Sequence, residues 1–403
     1  MSDQAKLAIH GGAQLRSTKM PARMAFDNQE IECLNEVVAY YHERQEDPPY
    51  SGVFEERFCQ AFADFMGGGF ADAVSSGTAA VFVSLAALDL KPGSEVISSP
   101  VTDSGPVNSI IMLGLTPVLA DSRPDSYNMG PQEFINRITH KTSAIIATHT
   151  AGEPLHDIDV LVDEAHKRGI KVIEDCSQAP GATWKGKQLG EFGNIAAFST
   201  MYRKTLASGG NGGIVFTRDE SLHQLALAHA DRGKPVWRTD LDLRNPTQAL
   251  FPALNFTTNE LASAIGHSSL NRLQQAVDQR LEWTRELCSR LNTESQVCSP
   301  YALHDGFSVF YFPVFVDVAQ ISCSKTEFAR ALQAEGIGLG EHYGCLISDW
   351  QWAHKYLSDD FVSTNAESTR NRTFNLYVNE RYGEQELIDT IMAIQKIEAY
   401  FIK

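Results

Sequence analysis

Between Ser94 and Arg218 short apolar runs alternate with amphipathic stretches, and this alternation constrains the fold more than any other feature of the chain. The runs SEVISSPVT, TPVLAD, AIIATHTAG, KVIED and GGIVFTRD predict strands. VNSIIMLG and DVLVDEAHKRG, with apolar residues three and four positions apart, predict helices between them. Strands joined in this way through helices require a mostly parallel sheet with right-handed crossovers, so the fold class is α/β. No GxGxxG follows the first strand, and the dinucleotide-binding fingerprint is absent.

At 403 residues the chain is long enough for two units. Residues 1–24 are polar and irregular, and two amphipathic helices are predicted from Asn28 to about Glu46 and from Gly52 to Met66. Residues 229–258 are polar, rich in aromatic residues and proline, and without periodicity, which predicts an ordered binding loop. A helix from Asn259 to about Asn292 is long enough to leave one unit and enter the next. Beyond it, FSVFYFPVFV predicts a strand, and KTEFARALQAEG and EQELIDTIMAIQKIEAYF predict helices. The expected division is a large unit over residues 1–270, N-terminal segment included, and a small α+β unit over 271–403.

A net charge of −16 argues against a nucleic-acid partner, which clustered Lys and Arg would have to hold. No apolar run reaches 18 residues and the first residues do not read as a signal peptide, so a cytoplasmic protein without a membrane span is expected. Seven cysteines without a CxxC pair predict reduced thiols and neither a disulfide framework nor a metal centre.

The residue types that carry chemistry concentrate in Val172–Gly213. A run ending in Glu174-Asp175 and a second ending in Ser199 place two acids and a hydroxyl at strand ends, with Lys204 just beyond. Such ends are where open α/β sheets converge on ligands. A lysine buried there loses basicity with its water, and the neutral amine can attack a carbonyl. Upstream, SSGTAA sits where a turn becomes a helix; free N–H groups and hydroxyls at that point suit a phosphate, although Ser and Thr are also ordinary helix caps.

Taken in order, SSGTAA, EDCSQAPGA and FSTMYRK with its glycine-rich tail resemble fold-type I pyridoxal phosphate enzymes. More narrowly they resemble the DegT/DnrJ/EryC1/StrS sugar aminotransferases, and FEERFCQAFADFMG, PVLAD, HTAGEP and LNFTTNELASAIG extend the resemblance over nearly the whole chain. The resemblance implies an aspartate-aminotransferase-like fold, with a mixed, mostly parallel sheet flanked by helices and a smaller C-terminal domain. It implies that Lys204 carries pyridoxal 5'-phosphate as a Schiff base, that Asp175 pairs with the ring nitrogen, and that Gln178 contacts the ring side. Gly77, Thr78 and Ser199 would hold the phosphate. Asn255 would reach the phosphate in a neighbouring subunit, which implies a homodimer with active sites at the interface.

Three departures from the family pattern stand out. Met201, Tyr202 and Arg203 replace the usual residues before the lysine, GGNGG replaces GEGG, and Asp103 or a neighbour occupies the place of an aromatic ring that stacks on the cofactor. The expected activity is amino transfer, with pyridoxamine phosphate as the intermediate carrier, from L-glutamate to a keto sugar in lipopolysaccharide or other surface-glycan synthesis. The sugar would be nucleotide-linked or free, such as an 8-oxo 3-deoxy-octulosonate. Arg203, Arg232, Arg238, His342 and Tyr343 are candidates for substrate recognition, and His149 is expected to hold a turn. Some relatives carry histidine in place of the lysine and dehydrate keto sugars, so dehydration, or a non-catalytic cofactor-binding regulator, are the other readings.

Overall fold

The computed structural model describes residues 6–23 and 26–403; the irregular N-terminus expected from the sequence lies outside the described residues at positions 1–5 and 24. The first two α-helices are α1 (Asn28–Arg44), which starts at a reciprocal Asp27/Glu30 cap, and α2 (Val53–Phe65). The α/β series then runs β1 (Phe70–Val74), α3 (Gly77–Ala87), β2 (Glu95–Ser98), α4 (Ser104–Met112), β3 (Thr116–Leu119), α5 (Pro131–Ile135) and β4 (Thr142–Thr148). It continues through α6 (Ile158–Lys167), β5 (Lys171–Asp175), a hairpin of β6 (Thr183–Trp184) and β7 (Lys187–Gln188), then β8 (Ile195–Ser199), β9 (Gly213–Thr217) and α7 (Glu220–Ala230).

Seven of these strands form one sheet in the order β1-β9-β8-β5-β4-β2-β3. Only the pairings of β9 are antiparallel; the others run parallel, as the strand-helix alternation requires. All five residues of β8 and of β9 are buried, so both faces of the sheet are covered and the strands read as continuous apolar runs. Because β9 runs antiparallel to both neighbours, β1 points the same way as β8, β5, β4 and β2. The residues that follow these five strands therefore gather at one edge.

The C-terminal part comprises α8 (Glu260–Leu270), α9 (Leu273–Glu294), β10 (Cys298–Pro300), β11 (Tyr311–Val316), α10 (Lys325–Ala334), β12 (Leu339–Gly340), α11 (Gln351–His354), α12 (Thr364–Arg372), β13 (Thr373–Tyr377) and α13 (Glu384–Phe401). Its sheet is antiparallel in the order β10-β11-β13-β12. The long helix expected over 259–292 is divided at Asn271-Arg272. The break lets the Arg272 guanidinium pair with Asp27 at 2.6 Å and with Glu30 at the start of α1. Helix α9 then buries Leu273 and Val277 in the core of the large unit and Leu281, Leu287 and Leu291 in the core of the small one.

The N-terminal segment lies against the C-terminal part. Leu7 is fully buried in the small unit's core, the N–H groups of Ala8 and Leu15 donate to the Glu335 carboxylate at 2.9 Å, and Arg16 pairs with Glu386 and Asp389. Residues 7–20 thus pack with the C-terminal unit, because the buried Glu335 needs donors and Leu7 finds apolar cover there.

All seven cysteines are free thiols. Among the described residues no helix is long and apolar enough to cross a membrane. The loop after α7 folds back on itself, with Arg232 N–H donating to Leu254 O and Leu250 N–H to Gly233 O. Its returning limb is tied to the end of β1 through Ser75 N–H to Phe256 O at 2.7 Å.

Candidate active site

The common strand edge encloses a cavity of about 370 Å³ lined by Gly77, Thr78, Asp103, Thr148, Asp175, Gln178, Ser199, Arg203, Lys204, Phe310 and Tyr343. Each large-unit strand that ends here delivers its next residues into the cavity, so motifs far apart in sequence meet.

Gly77 and Thr78 begin α3, and as the first N–H groups of a helix theirs have no intrahelical partner. Ser76 spends its own hydroxyl on Ala79 N–H at 3.0 Å, which fixes the helix start. The cradle is tight: a Cβ added at Gly77 would lie 2.5 Å from Ser199 Cβ and 2.8 Å from Ser199 Oγ. Gly77→Ala is therefore expected to destabilise the protein by about 1–3 kcal/mol through overpacking and to weaken anion binding at this helix end. Thermal melts with and without inorganic phosphate would show it, and a variant as stable and as phosphate-responsive as the parent would contradict it.

Lys204 follows β8 in a tight turn closed by its N–H to Met201 O at 2.8 Å. It is the lysine of the cavity lining, and its Nζ lies 4.3 Å from the centroid of the Phe310 ring. Loss of water lowers its pKa from 10.5 to about 8, against the opposing charges of Asp175 and Asp103. Asp175 is buried at the end of β5, where Ser177 N–H donates to its Oδ1 at 3.0 Å. Burial pushes its carboxyl above the usual range, while the bonds from Ser177 and the Lys204 charge pull it back.

The small unit closes the far wall. Tyr343 Oη accepts from Gln178 Nε2 at 2.9 Å, and Gln178 Oε1 accepts from Ala151 N–H at 2.8 Å, which fixes the amide orientation. Tyr343 is stacked on Tyr311 at 5.3 Å. Phe310 is held by its N–H to Ala151 O at 3.0 Å, so one turn positions both Gln178 and Phe310.

Other sequence candidates lie elsewhere. Arg232 is paired with Asp231 at 2.6 Å and Arg238 with Asp240 at 2.6 Å, neither lining the cavity. His342 is exposed outside the lining. Asn255 is exposed and its Oδ1 accepts from Thr257 N–H and Oγ1, so within one chain it closes a turn. Arg203 is exposed at the cavity rim. Sequence reasoning missed Thr148 and Phe310. Thr148 ends β4 one residue before His149, and that strand-end position is the signal that could have found it.

Glu174 holds structure. Its carboxylate accepts from the N–H groups of Gly190, Phe192 and Gly193 at 2.9, 2.6 and 2.7 Å and lies 3.3 Å from His149 Nε2. His149 Nδ1 in turn accepts from Leu155 N–H. His149, Glu174 and Cys176 stand close enough to hold a metal ion, yet these bonds already occupy both carboxylate oxygens and both ring nitrogens. Glu174→Gln places an amide N–H₂ against backbone donors and is expected to cost about 2–4 kcal/mol, measured by urea unfolding. A loss below ~0.5 kcal/mol would contradict this role.

The donor set suits a phosphorylated aldehyde cofactor. A helix N-terminus fits the anion, a buried amine of low basicity stands across the cavity, a buried carboxylate stands one strand away, and Thr148 Oγ1 is buried in the lining without a protein partner among the described residues. Fold and site together define a pyridoxal-phosphate-dependent aminotransferase with the fold-type I architecture. The chain belongs to the DegT/DnrJ/EryC1/StrS aminotransferase family, whose profile it matches over residues 36–395. It is 30% identical over 361 residues to the spore coat polysaccharide biosynthesis protein SpsC of Bacillus subtilis, across 85% of this chain and 89% of that one. It is 30% identical over 292 residues to the GDP-perosamine synthase of Caulobacter vibrioides, across 71% and 75%. Its fold superimposes on the aminotransferase from Psychrobacter cryohalolentis with a TM-score of 0.86 at 26% identity, covering 95% of this chain and 99% of that one.

Proposed function

We propose that the protein transfers the amino group of L-glutamate to a keto sugar destined for a surface glycan such as lipopolysaccharide. The sugar is either nucleotide-linked or a free keto sugar such as an 8-oxo 3-deoxy-octulosonate. The observation that carries this reading is the buried, weakly basic amine of Lys204 in one cavity with Asp175 and the α3 N-terminus. Relatives named for polysaccharide biosynthesis and for GDP-perosamine synthesis support a sugar acceptor.

Bound there, pyridoxal phosphate supplies an electron-poor ring that stabilises negative charge at the substrate carbon. Gly77, Thr78 and Ser199 would bind its phosphate, and the Asp175 carboxylate would keep the ring nitrogen protonated. Gln178, held by Tyr343, would contact the side of the ring, and Asp103 lies at the cavity wall. Lys204 would hold the cofactor through Nζ, and its amine would move the proton at the substrate's α-carbon. Lysine rather than histidine at this position supports amino transfer over dehydration. Asn255, exposed and with its Oδ1 accepting from Thr257, would reach the phosphate site of a second copy, so the working form is a homodimer.

The test is a two-stage assay on purified protein. Glutamate alone should yield about one equivalent of 2-oxoglutarate per site, and sustained release should require a keto sugar, as a two-stage transfer demands. A panel of nucleotide-linked and free keto sugars that elicits no 2-oxoglutarate would sink the reading.

A further inference from the structure

Beside the cavity, and sharing Asp103 with it, lies a second pocket of about 500 Å³ lined by Asp103, Ser104, Asn108, Cys345, Trp350 and Trp352. One wall is a face of α4: Ser104 and Asn108 stand one helical turn apart behind the N-cap Asp103. The side-chain hydrogen bonds of this helix start are Gly105 N–H to Asp103 Oδ1 and Ser109 Oγ to Gly105 O. Asp103 Oδ2, Ser104 and Asn108 are thus left without a protein partner among the described residues.

The other wall is aromatic. Trp350 packs against the cluster of Val107, Leu119, Ile347 and Ala353, and Trp352 lies over it with ring centroids 5.7 Å apart and planes 13° from parallel. Trp352 remains 45% exposed. The segment cannot drift from the site, because Leu346 bridges to Val101 and Ile347 N–H donates to Pro100 O at 2.9 Å.

An exposed indole stacked on a fixed one, facing a carboxylate, a hydroxyl and an amide, matches one ligand chemistry: a ring with apolar C–H faces and an equatorial fringe of hydroxyls. Among the described residues no Lys, Arg or His lines the pocket, so a phosphate or carboxylate would meet the Asp103 charge there. We propose that this pocket is the subsite for the neutral, non-reacting part of the acceptor sugar, with Trp352 and Trp350 under its C–H face and Asp103, Ser104 and Asn108 on its hydroxyls. The inference rests on the sugar-aminotransferase reading and adds to it that any charged group of the acceptor is bound elsewhere.

Calorimetric titration of the cofactor-loaded protein with neutral, non-ketonic monosaccharides such as mannose and 6-deoxymannose tests it, with GDP and inorganic phosphate as charged probes. The neutral sugars are expected to bind, Trp352→Ala and Asn108→Ala each to weaken them about tenfold, and Trp352→Phe to restore most of the loss. In turnover the loss should enter the KM for the acceptor. Unchanged sugar binding in Trp352→Ala, no sugar binding by the parent protein, or loss of GDP instead of sugar in Trp352→Ala would each overturn the proposal. Single-turnover release of 2-oxoglutarate by the parent protein separates the two readings. Its absence removes the aminotransferase proposal, whereas its presence beside unchanged sugar binding removes only the subsite.

Discussion

Lys204→Ala is expected to abolish the visible absorbance of the loaded protein, a band near roughly 410–430 nm, and to lower transfer at least ~10³-fold. The reason is geometric before it is chemical. Within the cavity lining Lys204 is the only lysine among the described residues, and the ring of Phe310 shields its Nζ from water. An amine of pKa about 8 has roughly a tenth of its molecules uncharged at pH 7, whereas at the ordinary 10.5 the share is about 0.03%. Loading of the apoprotein followed by absorbance should therefore quicken about tenfold per pH unit below pH 8 and flatten above it. A rate that keeps climbing past pH 10 would identify an exposed amine and a different lysine. The same shift sets the sign for stability. The folded pKa lies below the unfolded one, so holding the charge costs the fold about 3 kcal/mol, fully present below pH 8 and relieved as pH rises toward 10.5. Apo Lys204→Ala should accordingly melt no lower than the parent at pH 7, and a marked loss of stability would mean that the lysine serves the fold.

The cavity was legible in the sequence to the extent that its residues follow their own strands. Ser76-Gly77-Thr78 come two to four residues after β1, Asp175 ends β5, Ser199 ends β8 and Lys204 lies one turn on, so local order translated directly into shared space. What escaped depends on contacts distant in sequence. Gln178 meets Tyr343 across 165 residues, and Phe310 enters from the small unit. Trp350 and Trp352 look like ordinary helix-start aromatics until Leu346 is seen bridged to Val101. β13 escaped because TFNLY is short and mixed in polarity, and it is a strand through pairing with β11 on one side and β12 on the other. Arg232 and Arg238 show the reverse case. By sequence both are candidates for substrate recognition, and in the structure they pair with Asp231 and Asp240, one and two residues away. Glu174, adjacent to the aspartate that matters chemically, had no role in the sequence because its three partners are backbone N–H groups of a loop 16 to 19 residues downstream.

Asp175→Asn separates function from stability more sharply than any other change. The substitution keeps the shape of the side chain and can keep the bond from Ser177 N–H, yet it removes the charge. A buried carboxylate whose pKa is raised by loss of water costs the fold stability when ionised. Here the folded pKa lies above the unfolded 3.8, so the cost is complete above the folded value and disappears as pH falls toward the unfolded one. At pH 7 the apo variant should therefore unfold in urea no earlier than the parent, and any gain should shrink as pH falls toward the unfolded value. Transfer should nevertheless fall by ~10²–10⁴-fold, because under the proposed pairing a neutral amide would not hold a proton on the ring nitrogen. Lys204 reports the same loss independently. The Asp175 charge holds its pKa up against burial, so in the variant the pH at which loading levels off should move below about 8. A variant that is strongly destabilised at pH 7, with the loading profile unmoved, would make Asp175 a structural residue and return the electronics of the site to another group.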